Sequence, residues 1–160
     1  METKETTKTH FLHPGAIFAV KEEYIVTTIV GSCIAVCLWD PVLMIGGINH
    51  YMLALWNGEG LPSPRYGNIA IPKLIEKMLM LGCNKNNLKA KIFGGASLIN
   101  SSSGLLNVGT RNIMLAEDML KEEKLPIISR DVDGNFGRKI IFNTKTGGVL
   151  LKRVIKRQAG

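Results

Sequence analysis

A single layered domain of the mixed α/β kind, closer to α+β than to a doubly wound sheet, is the fold class this sequence predicts. Three observations carry it. Short apolar or β-branched runs recur along the 160-residue chain, only two segments have helical periodicity, and the two kinds do not alternate strictly. A chain of this length makes one domain by default and is long enough to bury a sizeable core without staples.

The polar start METKETTKTH begins no apolar run, so residues 1–12 are expected to be a flexible tail. Strands are predicted over 16–20 and 25–30, the second rich in β-branched residues. Gly31-Ser32-Cys33 then makes a turn or bulge. The nearly continuous apolar run 34–39 reads as a buried strand and Asp40-Pro41 as turn chemistry. A strand returns over 45–53, with Gly46-Gly47 marking a bulge or a close approach.

Residues 54–67 form a Gly- and Pro-rich loop of a length more often functional than idle. A helix follows with Leu74, Ile75, Met78 and Leu79 on one face. Gly82 stops it, and Pro72 belongs in its first turn. After a strand over 88–93 come Gly94-Gly95 and a Ser-rich loop, so that 97–109 is a second long connection. A second helix is predicted from about Asn112 to Lys124, stopped by Leu125-Pro126. Residues 126–129 lead into a strand, and 138–142 and 149–154 form a hairpin around NTKTGG. Residues 154–160 are a basic tail, and no linker divides the chain.

A net charge of +7 favours acidic partners or simply a solvated surface. Aromatic residues are few and not interleaved with basic ones, which argues against nucleic acid. There is no secretory signal, and the longest uncharged segment is too short to span a bilayer, so no stable membrane insertion and a cytoplasmic location are expected. Three cysteines match no disulfide framework and are expected as free thiols.

The chemistry-bearing stretch is VGSCIAVCLWDPVLMIGGINH, Val30 to His50. If Pro41 and Val42 are the two central residues of a hairpin turn, Cys33 falls directly opposite His50. Opposed side chains share a face of the sheet. A cysteine beside an imidazole is a recurrent nucleophile, because a neighbouring imidazolium lowers the thiol pKa. Gly31 and Ser32 let substrate approach the backbone and free N–H groups for a developing oxyanion. A third group must orient the base, and the hydroxyl of Thr27 or of Thr28 is near enough in sequence to do so. Against this, free cysteine is among the most buried residue types and a histidine on an apolar strand is usually a core residue. The hairpin alone leaves both readings open.

Metal binding is disfavoured. Cys33 and Cys37 lie about 13 Å apart along one strand, whereas ligands of one zinc sit about 2.3 Å from it. Cys37 and Cys83 read as core fillers. FGGAS lacks the Lys-Ser/Thr ending of a phosphate loop, and Asp131, Asp133 and Arg138 read as a structured turn rather than a calcium site.

Taken together, the blocks TTIVGSCIAVCLWDP, GGINHYML, RYGNIAIPKLIEKMLMLGC, LKAKIFGGAS, VGTRN and LPIISRDVDGNFGRKIIFNTKTGGVLLK resemble the CheD family of chemoreceptor glutamine deamidases, in order and spacing, from about Pro14 to Lys152. The resemblance implies a three-layer α/β sandwich similar to the catalytic domain of cytotoxic necrotising factor toxins. It implies a cofactor-free cysteine amidohydrolase, a protein-glutamine glutaminase. Its substrates would be glutamines on the cytoplasmic helices of methyl-accepting chemotaxis receptors, and the phosphatase CheC would be a partner. The family's Cys-His-Thr triad falls on Cys33, His50 and Thr27. Arg111 and Asn112 match a family motif and, with Gly31 and Ser32, are candidates to contact substrate, although a helix start explains them equally well. The chain departs from the family at Val30, Ala54 and Asp133-Gly134, away from the triad. A non-catalytic adaptor, or another cysteine acyl-transfer enzyme such as a protease or transglutaminase, are the alternatives.

Overall fold

The computed structural model describes residues 6–97 and 107–154. Among them are nine strands, two α-helices and a short 3-10 turn. The strands are β1 (Lys8–Phe11), β2 (Ile17–Val20), β3 (Tyr24–Val30), β4 (Ile34–Asp40), β5 (Ile45–Tyr51), β6 (Lys89–Gly94), β7 (Ile127–Val132), β8 (Gly137–Asn143) and β9 (Val149–Val154). The helices are α1 (Gly67–Met80) and α2 (Val108–Glu122).

The strands form two sheets. One runs β1-β3-β8-β9 and the other β2-β5-β4-β6-β7. Only β1–β3 and β6–β7 pair in parallel; the other pairings are antiparallel.

The side-chain pattern of β4 explains the layering. Successive side chains on a strand point to opposite faces. Ile34, Val36 and Leu38 enter a core with Ala70, Ile71, Leu74 and Met78 of α1 and Ala116 and Leu120 of α2. Ala35 and Cys37, on the other face, enter a second core with Val26, Val30, Ile140 and Phe142 of the four-stranded sheet. The five-stranded sheet is therefore the middle layer. It is covered by helices on one side and by a sheet on the other, so β4 is a continuous apolar run. The four-stranded sheet has one open face, and β3 accordingly alternates: Val26, Thr28 and Val30 are buried, while Ile29 is half exposed.

Several sequence expectations are corrected. Residues 1–12 are not all tail: Lys8–Phe11 form β1 beside β3, and Leu12 is fully buried. The β4–β5 turn has four residues rather than two, since Asp40 pairs with Ile45. Asp40 Oδ1 accepts from the N–H groups of Val42 and Leu43, and Met44 closes the turn at positive φ. No bulge occurs at Gly46-Gly47, where pairing continues opposite Trp39 and Leu38. Those glycines serve close approach instead. A Cβ on Gly46 would lie 2.6 Å from the Thr144 carbonyl oxygen, and one on Gly47 would lie 2.9 Å from Leu74 Cδ1. Helix α1 begins at Gly67, so Pro72 lies inside it rather than in its first turn. Helix α2 begins four residues before Asn112, capped by the Asn107 side chain, which accepts from Thr110 N–H. The loop expected over 97–109 and the tail expected over 154–160 fall largely outside the described residues.

Candidate active site

The observed register places Ala35, not Cys33, opposite His50. The longer turn moves the pairing by two residues, and a shift of two preserves the face. Cys33 therefore stays on the side of Ala35 and Cys37 and packs, half-buried, against the core between the sheets. It becomes a diagonal neighbour of His50, and such neighbours stand about 7–8 Å apart along the backbone. His50 is 1% exposed, and its Nε2 has no hydrogen-bond partner among the described residues.

The other ring nitrogen is held across the gap between the sheets. Thr28 of β3 donates its hydroxyl proton to the Leu12 carbonyl oxygen at 2.8 Å. A threonine hydroxyl has one proton to give. Its contact with His50 Nδ1 at 2.7 Å must therefore be one in which the ring N–H donates and Oγ1 accepts. This fixes the tautomer: Nδ1 carries the proton and Nε2 presents its lone pair. The backbone of His50 is pinned by the same segment, its carbonyl accepting from Gly15 N–H and its N–H donating to Ala16. The stretch read as tail thus ends in Leu12, whose carbonyl takes the Thr28 proton and so fixes how the imidazole is held.

Thr27, the threonine indicated by the resemblance, does not make this contact. It lies one residue away on β3 and so on the opposite face, in a row with Phe11 and Ile141. Strand alternation decides between the two adjacent hydroxyls.

Burial sets the protonation states. Removal from water disfavours charge and holds His50 down at about 4. The Cys33 thiol is pushed up by burial, opposed in part by its own backbone N–H. At neutral pH the pair is a neutral thiol beside a neutral imidazole, not the thiolate–imidazolium pair expected from the sequence. Cys37 and Cys83 are buried and free, as core fillers should be.

The Gly31-Ser32-Cys33 turn is held at every carbonyl. Gly31 accepts from Ala96 N–H, Ser32 from Asn112 Nδ2 and Cys33 from Gly95 N–H. Close contact at this corner requires glycine. Gly94 has φ +113°, and a Cβ there would sit 2.2 Å from the Cys33 carbonyl oxygen. FGGAS, dismissed from the sequence as a phosphate loop, is the shelf on which the cysteine turn rests. Behind it lies fully buried Arg138. It donates to Asp131 Oδ1 at 2.6 Å, to the Asp133 carbonyl at 2.7 Å and to the Gly94 carbonyl at 3.4 Å. The turn expected of Asp131, Asp133 and Arg138 is therefore also a support of the site. Only its contact to Gly94, 44 residues away, lay beyond what spacing could reveal.

Arg111 and Asn112 separate in the structure. Both line a hollow of about 260 Å³ with Leu53, Ala54, Leu55 and Val108, but Arg111 is exposed and Asn112 is fully buried. Among the described residues no group of three or more His, Cys, Asp or Glu side chains could hold a metal, and no helix is long and apolar enough to cross a membrane.

Fold and site together define a two-sheet, helix-backed α/β domain that carries a cysteine turn beside a neutral, tautomer-fixed histidine. The family model described as CheD chemotactic sensory transduction matches residues 54–153. Similar proteins include those named probable chemoreceptor glutamine deamidase CheD from Trichlorobacter lovleyi (51% identical, covering 90% of this chain and 89% of the relative) and from Sulfurimonas denitrificans (45%, covering 92% and 96%). Another, probable chemoreceptor glutamine deamidase CheD 1 from Anaeromyxobacter dehalogenans, is 41% identical over 90% of this chain and 84% of its own. The chain belongs to the CheD family.

Proposed function

We propose that this protein is a chemoreceptor glutamine deamidase. It hydrolyses glutamine side chains on the cytoplasmic helices of methyl-accepting chemotaxis receptors to glutamate and releases ammonia. Family membership supplies the reaction class. The observation that carries the mechanism is the Thr28–His50 hydrogen bond, which leaves Nε2 as a lone-pair base on the side of the imidazole away from β3.

In this reading His50 Nε2 takes the Cys33 thiol proton as the sulfur bonds to the carboxamide carbon, general-base activation of a neutral thiol. Charge moves to the carboxamide oxygen, and the Cys33 backbone N–H is the proposed donor for it. The intermediate collapses, the carbon–nitrogen bond breaks and Nε2–H protonates the departing amine. Water then gives a proton to Nε2 and its oxygen to the thioester carbon. The acid product leaves, and the proton returns to sulfur. Thr28 holds the ring throughout. No cofactor enters.

The likeness to the toxin catalytic domain, the cytoplasmic location and a complex with CheC belong to the same reading, and co-purification of CheC with this protein tests the last. The reaction is tested by incubating receptor cytoplasmic fragments with wild-type and Cys33→Ala protein and mapping the products by mass spectrometry. Site-specific Gln-to-Glu conversion by wild type alone supports deamidation. Cleaved chains would point to a protease, amine-linked products to a transglutaminase, and unaltered receptor that stays bound to an adaptor.

A further inference from the structure

We infer that Asn112 is a positioning residue that fixes the cysteine turn relative to the histidine strand, rather than a substrate contact; this rests on the reading of Cys33 and His50 as the reacting pair.

The Asn112 side chain is fully buried, and its Nδ2 donates twice, to the Ser32 carbonyl at 2.9 Å and to the Met52 carbonyl at 3.0 Å. Ser32 immediately precedes the nucleophile and Met52 lies two residues beyond the base. Both partners are carbonyls, which only accept, so the NH₂ end of the amide must face them. With both protons committed, nothing on that end is left to donate to a substrate. Tyr51, between His50 and Met52, closes the clamp, since its hydroxyl donates to the Asn112 backbone carbonyl at 2.5 Å. Cys33 and His50 are not hydrogen-bonded to each other. The offset between them is therefore carried by what joins their backbones, and Asn112 joins them with one planar group on α2. Its Oδ1 is buried without a partner among the described residues, a cost tolerated so that both donors are aimed at the two strand ends.

The test uses the full chain and two isosteric or truncating variants, Asn112→Asp and Asn112→Ala. The first presents acceptors to two carbonyls, and the second leaves both unpaired. Iodoacetamide is the probe, with Cys33 alkylation followed by peptide mass spectrometry against pH and buried Cys37 and Cys83 as internal references. Misplacing reacting groups by about an ångström costs on the order of a hundredfold in rate. Each variant is therefore expected to lower kcat for deamidation by about ten- to a hundredfold with KM little changed, and to shift the pH dependence of Cys33 alkylation away from wild type. A rise in KM at unchanged kcat, with wild-type alkylation, would make Asn112 a substrate ligand and overturn the proposal. If wild type fails to deamidate receptors, the alkylation profiles still decide the role of Asn112. If both variants fail to fold, the wild type decides. Its Asn112 side-chain amide protons should exchange slowly by NMR, and exchange at the rate of a free amide would overturn the clamp.

Discussion

Thr28 Oγ1 and His50 Nδ1 meet at 2.7 Å across the space between two sheets, and the hydroxyl's only proton is spent on Leu12. From that one relationship follow the tautomer of the histidine and, in the proposed mechanism, the nitrogen assigned as base and the residue assigned to hold it.

Replacing Thr28 by Val keeps the shape and removes the acceptor. Deamidation is expected to fall by about ten- to a hundredfold, no more than the lower end of the roughly 10²–10⁴-fold that positioned acid–base catalysis contributes, because the base itself remains. Thr28→Ser should retain most activity and Thr27→Val nearly all. Steady-state rates on a receptor fragment check this, and a larger loss in Thr27→Val than in Thr28→Val would contradict the geometry.

The pH behaviour has a definite sign. Buried His50 holds its neutral form until about pH 4, whereas in the unfolded chain it takes up a proton near 6.5. Activity should therefore persist through mildly acidic pH and fail toward pH 4, where Nε2 is occupied. The unfolded state binds more protons within that window, so the His50 contribution to stability is complete above 6.5 and is lost as pH falls toward 4, about 3 kcal/mol over the whole window. Urea midpoints measured from pH 7 down to 4 test this, and His50→Gln should flatten the dependence.

How much of this was legible beforehand depended on the range of the interaction. Strand and helix positions follow from local apolar patterning, and most were read correctly, including the pairing of β4 with β5. The register was not, because the four-residue turn depends on Asp40 capping Val42 and Leu43, a side-chain choice that Asp-Pro does not specify. The residues alone left Thr27 and Thr28 open and the resemblance pointed to Thr27, whereas the buried face of β3 puts Thr28 against His50. The roles of Leu12, Gly94 and Arg138 were invisible for a different reason. Each contacts the site from a distant part of the chain, and Arg138 reads locally as an ordinary turn cation.

Gly94→Ala should damage the site through its support. The side chain would be forced into positive φ and against the Cys33 carbonyl, strain worth on the order of 1–3 kcal/mol before the clash is counted. The expected outcome is a lowered thermal midpoint together with slower Cys33 alkylation. A stable variant with wild-type alkylation would show that the shelf does not set the turn.

Arg138→Met removes a buried cation from Asp131 and from two carbonyls. Asp131 is partly solvated, which tempers the cost, and a loss of about 2 kcal/mol is expected. Arg138→Lys should recover only part of it, because an ammonium lacks the planar fork that reaches all three acceptors. Chemical denaturation of the three proteins makes the comparison.

The central claim is that glutamine is hydrolysed through a thioester on Cys33. It is met most directly by acid-quenching wild-type protein during turnover with a receptor fragment and searching for the covalent species by mass spectrometry. The expected species is a receptor fragment joined through a glutamine side chain to the Cys33 peptide, released by hydroxylamine and missing from Cys33→Ala. Glutamine-to-glutamate conversion by Cys33→Ala at the wild-type rate, with no such species in either protein, would contradict it.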